Sequence, residues 1–319
     1  MTSVLIAAVL LVIGFVLLIK GADFFVEGSV MLAGKLRIPS LIVGLTIVAM
    51  GTSAPELAVS VSSAVTGANG LAVSNVIGSN IFNLLMVLGV CAIVSPLPVS
   101  ETVLKRDYPV SAAAMLLFVI FIIGGVLNRL EAALLLAGIV AYIILSIRSA
   151  RNEPSEETAV NFRPLRCTLG IIGGIAGIVI GGQMVVDNAK SIAMAAGMSE
   201  TLTGLTICAM GTSLPELVTS FTAAKRGETE MAVGNVVGSN IFNALGILGI
   251  SGLITPIDLA AAGDGSDVSS LIDGAILIIA SIIAFACCKT SRKITRAEGI
   301  CLVSAYAVYM VYIVARNYM

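Results

Sequence analysis

Ten mostly apolar stretches follow one another along this chain, at about 4–20, 40–66, 71–94, 108–127, 130–148, 165–188, 200–224, 230–254, 271–288 and 298–316. A helix of about 20 apolar residues crosses the hydrocarbon of a bilayer. Inside it, the backbone must satisfy its own hydrogen bonds, which leaves helices as the economical solution for such segments. The expected fold class is an all-α polytopic membrane protein with ten transmembrane helices. Composition supports this: only 12% of the 319 residues are charged, against about 25% in soluble domains. That is too few to clothe a water-facing surface. A disordered chain, a collagen-like fibre and a nucleic-acid-binding protein are excluded on the same ground. The segment 21–37 is polar on one face and reads either as a further helix or as an extension of the first. No basic residue precedes the first stretch, and Lys20-Gly21-Ala22-Asp23 follows it, so it reads as a retained helix rather than a leader peptide.

Lys and Arg counts orient the spans, because cytoplasmic loops carry the excess. With the N-terminus outside, fifteen of the eighteen basic residues fall on the inner side, leaving Arg129, Lys190 and Arg316 outside. This predicts a multi-pass cell-membrane protein with both termini outside. Residues 149–164 form a short cytoplasmic linker between a first unit, 1–148, and a second, 165–319. The chain has no histidine, which removes serine–histidine and cysteine–histidine hydrolases. Cys91, Cys167, Cys208, Cys287, Cys288 and Cys301 mostly sit in apolar runs without metal-ligand spacing, and read as small hydrophobic residues. No nucleophile–base pair is visible, and an enzyme is not expected.

The two units repeat each other at an offset of 160. Residues 44–57, GLTIVAMGTSAPEL, match 204–217, GLTICAMGTSLPEL, at twelve of fourteen positions. Residues 71–83, LAVSNVIGSNIFN, match 231–243, MAVGNVVGSNIFN, at ten of thirteen. Five spans per unit is an odd number, so the second copy enters the membrane upside down. Inverted repeats with broken helices place a binding site at their interface in secondary transporters. A duplicated scaffold without a shared site is the plainer alternative, but the matched positions are the polar ones.

Glu56 and Glu216 lie in apolar segments with no basic residue nearby. A carboxylate at the bilayer centre costs about 2.5–3.5 kcal/mol on insertion scales. Such a pair either takes up protons within the bundle or binds a cation. Thr52 and Glu56 share a helix face, with Ser53 one position round. Pro55 cannot donate to the Gly51 carbonyl, so the helix should open near Thr52 and free carbonyls around Ala49. Ala209, Thr212, Ser213, Pro215 and Glu216 repeat the arrangement, although a bare proline kink would leave a similar trace. Asn75, Ser79 and Asn83 form a polar stripe at four-residue spacing, repeated by Asn235, Ser239 and Asn243. Asn75, Asn235, Asn80 and Asn240 are open to two readings, as ligands or as amides joining helices. Asn83 and Asn243 fit a ligand role better. Carboxylate, hydroxyl, amide and carbonyl oxygens without sulfur or imidazole suit a hard cation such as Ca2+, which takes 6–8 oxygens. Two glutamates supply the charge to neutralise it, and Na+, of similar size, would compete for the same oxygens.

GTSAPE at 51–56, GTSLPE at 211–216 and the GSNIFN runs at 78–83 and 238–243 resemble the alpha-repeats of the calcium/cation antiporter superfamily, most closely prokaryotic sodium/calcium exchangers. The resemblance covers nearly the whole chain. It implies ten helices and four ion positions, with Glu56, Glu216, Thr52 and Thr212 holding calcium. It further implies one sodium site at Ala49, Ser53 and Ser79 and its counterpart at Ala209, Ser213 and Ser239. Family members are expected to exchange three Na+ for one Ca2+. Asn243 stands where some prokaryotic exchangers and the potassium-dependent branch carry Asp, which argues against potassium co-transport and against a proton acceptor there. The expectation is an antiporter with Na+ and Ca2+ as substrates, the bilayer as its surroundings, no cofactor and no obligate protein partner. A proton/calcium exchanger is the nearest alternative, and a cation channel a more distant one.

Overall fold

The computed structural model describes residues 2–150, 162–198, 203, 207, 209–258 and 266–318. Most of the 149–164 linker and the start of the span expected at 200–224 lie outside the described residues. Helix α1 runs unbroken over Thr2–Leu36, so 21–37 is an extension of the first span. Helices α2 (Ser40–Thr52) and α3 (Ala54–Val65) are two arms of one bent segment, meeting at 48°. Next come α4 (Asn69–Val94), α5 (Tyr108–Ile123), α6 (Arg129–Ala150) and α7 (Pro164–Ala195). A short helical turn, Ala209–Gly211, precedes α8 (Leu214–Lys225). The chain closes with α9 (Thr229–Ile254), α10 (Ser266–Thr290) and α11 (Arg296–Tyr318). Among the described residues, seven helices are long and apolar enough to cross a bilayer, or eight with the bent pair as one. Helix α5 stops at Ile123, short of the expected 127, because Val126–Leu127 turns into an extended pairing with Ile257–Asp258.

The exterior confirms a membrane solvent. Leu5, Val12, Leu130, Leu165, Ile172, Ile282, Val308 and Val311 are more than half exposed, a pattern that costs nothing only when lipid surrounds it. The innermost helices are α4 and α9, with 78% and 83% of their apolar windows buried. Those are the helices that carry the GSNIFN runs. Both leave α-geometry at matched places, with π-helical turns at Phe82–Val87 and Phe242–Ile247. Such turns recur at functional sites because they rotate side chains out of register.

Helices α1 and α7 lie antiparallel and touch backbone to backbone. A Cβ placed on Gly21 would come within 2.7 Å of the Ile178 nitrogen, and one on Gly181 within 2.5 Å of the Leu18 nitrogen. Glycine is the residue that allows this approach. The pair leans on the bends of the other segments: Gly51 faces Phe25 and Ile175, Gly211 faces Val186, and Gly182 faces Pro215.

Short contacts tie distant loops together. Leu97–Pro98 pairs with Lys293–Ile294, and Asn69 donates to the Asp258 carbonyl. Glu101 takes up the ammonium of Lys105 at 2.6 Å, which holds its carboxyl below the usual carboxylate range. Below α5, the fully buried Asp107 receives a fork from Arg106, at 2.8 and 3.3 Å, and the Tyr142 hydroxyl at 3.1 Å. Removing one member of a buried ion pair typically costs about 3–5 kcal/mol. Because Arg106 is a quarter exposed, Asp107→Asn is expected to cost nearer the lower end, about 3 kcal/mol. A lowered thermal melting point in detergent would register it, and an unchanged melting point would show the network to be idle.

Candidate ion-binding site

The bends form as the prolines require. Pro55 and Pro215 occupy the first turn of α3 and α8, where a missing N–H goes unnoticed. Ser53 (φ −81°, ψ 12°) and Ser213 (φ −93°, ψ 7°) stand at the breaks in non-helical geometry. Glu56 and Glu216 therefore fall in the first turn of the restarted helices, beside amide N–H groups that favour negative charge.

Thr52, Ser53, Glu56, Asn83, Ser213, Glu216, Ser239 and Asn243 are wholly buried, and Ser79 is nearly so. Thr212 is half-buried. The two halves meet through reciprocal bonds. The Ser53 hydroxyl donates to Glu216 Oε1 at 2.7 Å, and the Ser213 hydroxyl donates to Glu56 Oε1 at 2.9 Å. Asn83 Nδ2 donates to Asn240 Oδ1 at 3.1 Å, and Asn243 Nδ2 donates to Asn80 Oδ1 at 3.0 Å. Both carboxylates thus belong to one polar centre made by both halves.

Several of those groups keep an unused oxygen. Glu56 Oε2, Glu216 Oε2, the Ser79, Ser239 and Thr212 hydroxyls, and Asn83 Oδ1 and Asn243 Oδ1 have no hydrogen-bond partner among the described residues. Buried polar atoms are normally satisfied. Six of the seven unsatisfied oxygens fall in three matched pairs, with Thr212 alone of its pair, and oxygens of these kinds are the ones a hard cation prefers. No group of three or more His, Cys, Asp or Glu assembles among the described residues, so neutral oxygens must complete any coordination sphere around the two carboxylates.

The Ala49 carbonyl departs from expectation. It keeps its helical bond from the Ser53 N–H at 3.0 Å, and the Thr52 hydroxyl lies 3.2 Å away, shared with the Val48 carbonyl at 3.1 Å. The proline two residues beyond Ser53 frees the Gly51 carbonyl instead. Ala209 lies in the matching helical turn before Ser213.

The structure also assigns the asparagines whose roles the sequence leaves open. Asn80 and Asn240 accept the amide protons of Asn243 and Asn83, which fixes those amides with their own oxygens unpartnered. Asn75 donates to the Ser60 hydroxyl at 2.9 Å and to the Glu56 carbonyl at 3.2 Å. Asn235 donates to Ser220 at 2.9 Å and approaches the Glu216 carbonyl at 3.5 Å. Ser60 and Ser220 went unread in the sequence, although each stands four residues after its glutamate and matches at the offset of 160.

A helical membrane protein whose two repeats share a buried carboxylate and amide centre has the architecture of a secondary transporter. A sequence model of the sodium/calcium exchanger protein family matches residues 6–148 and 167–315, and the chain belongs to that family. It is 38% identical to the putative antiporter CaxA of Alkalimonas amylolytica, over 96% of this chain and 98% of that one. It is 31% identical to the sodium/calcium exchanger MaX1 of Methanosarcina acetivorans, over 95% of this chain and 97% of that protein. The solved structure of the sodium-calcium exchanger NCX_Mj, soaked with 2.5 mM Na+ and 0.1 mM Ca2+, superposes with a TM-score of 0.83 at 30% identity, covering 96% of this chain and 98% of that one. The chain is a multi-pass membrane antiporter of the calcium/cation type.

Proposed function

We propose that this protein exchanges Na+ for Ca2+ across the membrane by alternating access, at three Na+ per Ca2+. The observation that carries the reading is the reciprocal Ser53–Glu216 and Ser213–Glu56 pairing, which puts two carboxylates and their unpartnered oxygens in one sealed centre. Glu56, Glu216, Thr52 and Thr212 hold Ca2+. Ser53 and Ser79 on one side, and Ser213, Ser239 and Ala209 on the other, take Na+, with Asn83 and Asn243 turning their amide oxygens to the ions. Both ions need the same two negative charges, so binding of one displaces the other, and that competition is what couples the fluxes.

The fold we propose is ten spans in two inverted five-helix repeats, 1–148 and 165–319, joined by a cytoplasmic linker at 149–164. Helix α5 and the bent segment ending in α8 complete the count beyond the seven long helices and the first bent pair. We place both termini outside. The Lys and Arg count alone sets that direction; the loop contacts support only the order of the spans, since each joins loops that fall on one side, 97–98 with 293–294 and 126–127 with 257–258. The α1–α7 pair, held by its glycines and leaning on both bends, is suited to slide across the core as access switches.

In proteoliposomes, an outward Na+ gradient is expected to drive Ca2+ uptake. Uptake should also respond to voltage, since each net charge moved is worth about 2.3 kcal/mol per 100 mV. Uptake driven by a pH gradient without Na+ would replace this reading with proton/calcium exchange. Conductance without countertransport would replace it with a channel.

A further inference from the structure

The two halves reciprocate at nearly every polar contact of the site, with one exception. The Thr52 hydroxyl stands 3.2 Å from Asn235 Oδ1, sharing its one proton between that oxygen and the Val48 and Ala49 carbonyls at 3.1 and 3.2 Å, and so links α2 of the first half to α9 of the second. Thr52 and Asn235 are both fully buried. The twin contact, Thr212 with Asn75, is not made. Thr212 Oγ1 has no partner among the described residues, and both residues are half-buried. Nothing in the anchoring of the two asparagines accounts for this. Each is held by the serine and the glutamate carbonyl of its own half, so each presents its Oδ1 in the same way. On the bonded side, the helices also close backbone to backbone: a Cβ on Gly238 would meet the Leu45 carbonyl at 2.5 Å.

We propose that the Thr52–Asn235 and Thr212–Asn75 pairs are alternating latches. The bonded pair closes the site on one face of the membrane, and the unbonded pair is the one that closes it when the protein faces the other way. The inference rests on the alternating-access reading above. It makes Asn75 and Asn235 positioning residues, which set the balance between the two facing states rather than bind the ion. A buried hydroxyl bound to an amide is well suited to the task, because losing it costs enough to hold a state but not enough to trap it. The apparent affinity on each face is reduced by the fraction of molecules not facing that way. Weakening one latch therefore raises affinity on one face and lowers it on the other.

The test uses the full chain in oriented proteoliposomes, with half-saturating Ca2+ measured from each face. Asn235→Ala and Asn75→Ala are expected to move the ratio of the two values in opposite directions, by about 2- to 10-fold. The double variant should return the ratio toward that of the unaltered protein. Single variants that move the ratio the same way, or leave it unmoved with flux still measurable, overturn the proposal. Thr52→Val breaks the same latch from its other end; it also removes a proposed Ca2+ ligand and so weakens binding from both faces, but the ratio should still shift in the direction seen for Asn235→Ala, which covers poor folding of either asparagine variant. A second readout needs no flux: amide hydrogen exchange in detergent should rise over 40–52 in Asn235→Ala and not in Asn75→Ala. Equal rises in both overturn the proposal. If the unaltered protein shows no Na+-driven Ca2+ uptake, the exchanger reading fails, and the latches are still judged by the exchange pattern.

Discussion

Glu216→Gln is expected to abolish Na+-driven Ca2+ uptake, with a loss of at least 100-fold, and Glu56→Gln to do the same. Gln matches Glu in shape, and its carbonyl can still accept the 2.7 Å bond that Ser53 gives to Glu216 Oε1. The link between the halves is therefore retained, and only the charge is lost. Stripping one charge from a buried pair of ionic partners costs about 3–5 kcal/mol, and each 1.4 kcal/mol is tenfold in affinity. Among the described residues no cationic side chain bonds to either carboxylate, so the substrate ion is the partner that loses most. The measurements are initial uptake rates in proteoliposomes and Ca2+ binding in detergent. Normal flux in either variant, with the protein folded, would show that the carboxylate is not part of the pathway. Because both glutamates serve one centre, the double variant should be scarcely worse than the singles.

The second large effect lies outside the site. Gly21→Val should separate α1 from α7. Its Cβ would stand 2.7 Å from the Ile178 nitrogen, 2.8 Å from the Gly177 carbonyl carbon and 2.9 Å from the Gly174 carbonyl oxygen. Backbone on every side leaves no flexible side chain to give way. Overpacking of a core commonly costs about 1–3 kcal/mol, and an obstacle made wholly of backbone should reach or exceed the top of that range. The expected result is a lower melting point in detergent together with impaired transport. Gly173→Val is the control, because Gly173, four residues before Gly177 on α7, has nothing within 4 Å of its added Cβ. Equal tolerance of both substitutions would show that the two helices need not stay in contact.

How far the sequence carried depends on the range of the interaction. Apolar length and charge decide what enters a bilayer, and both are local properties, so the boundaries of α4, α6 and α11 lie within a few residues of the stretches read from composition. The bends were legible for the same reason: a proline removes a donor wherever it stands, and α3 and α8 restart on Pro55 and Pro215 as that chemistry requires. The extent of α1 was not. Polar Lys20, Asp23 and Glu27 look like the end of a span, yet the glycine-mediated approach of α7 and the ion pairs of Asp23 with Arg226 and of Glu27 with Arg166 carry the helix on to Leu36.

By itself, the sequence determined the membrane setting, the duplication and the polar residues that the two halves hold in common, since hydropathy, offset and proline chemistry can be read along the chain. Only the tertiary structure decided who bonds with whom. Ser53 stands three residues from Glu56 but gives its proton to Glu216, 163 residues away. Asn80 and Asn240 stay ambiguous until each receives an amide from the other half, and only Thr52 of the two threonines finds its asparagine. Those choices follow from how two helix-broken halves pack across their interface, and packing between segments 160 residues apart leaves no periodic trace in either.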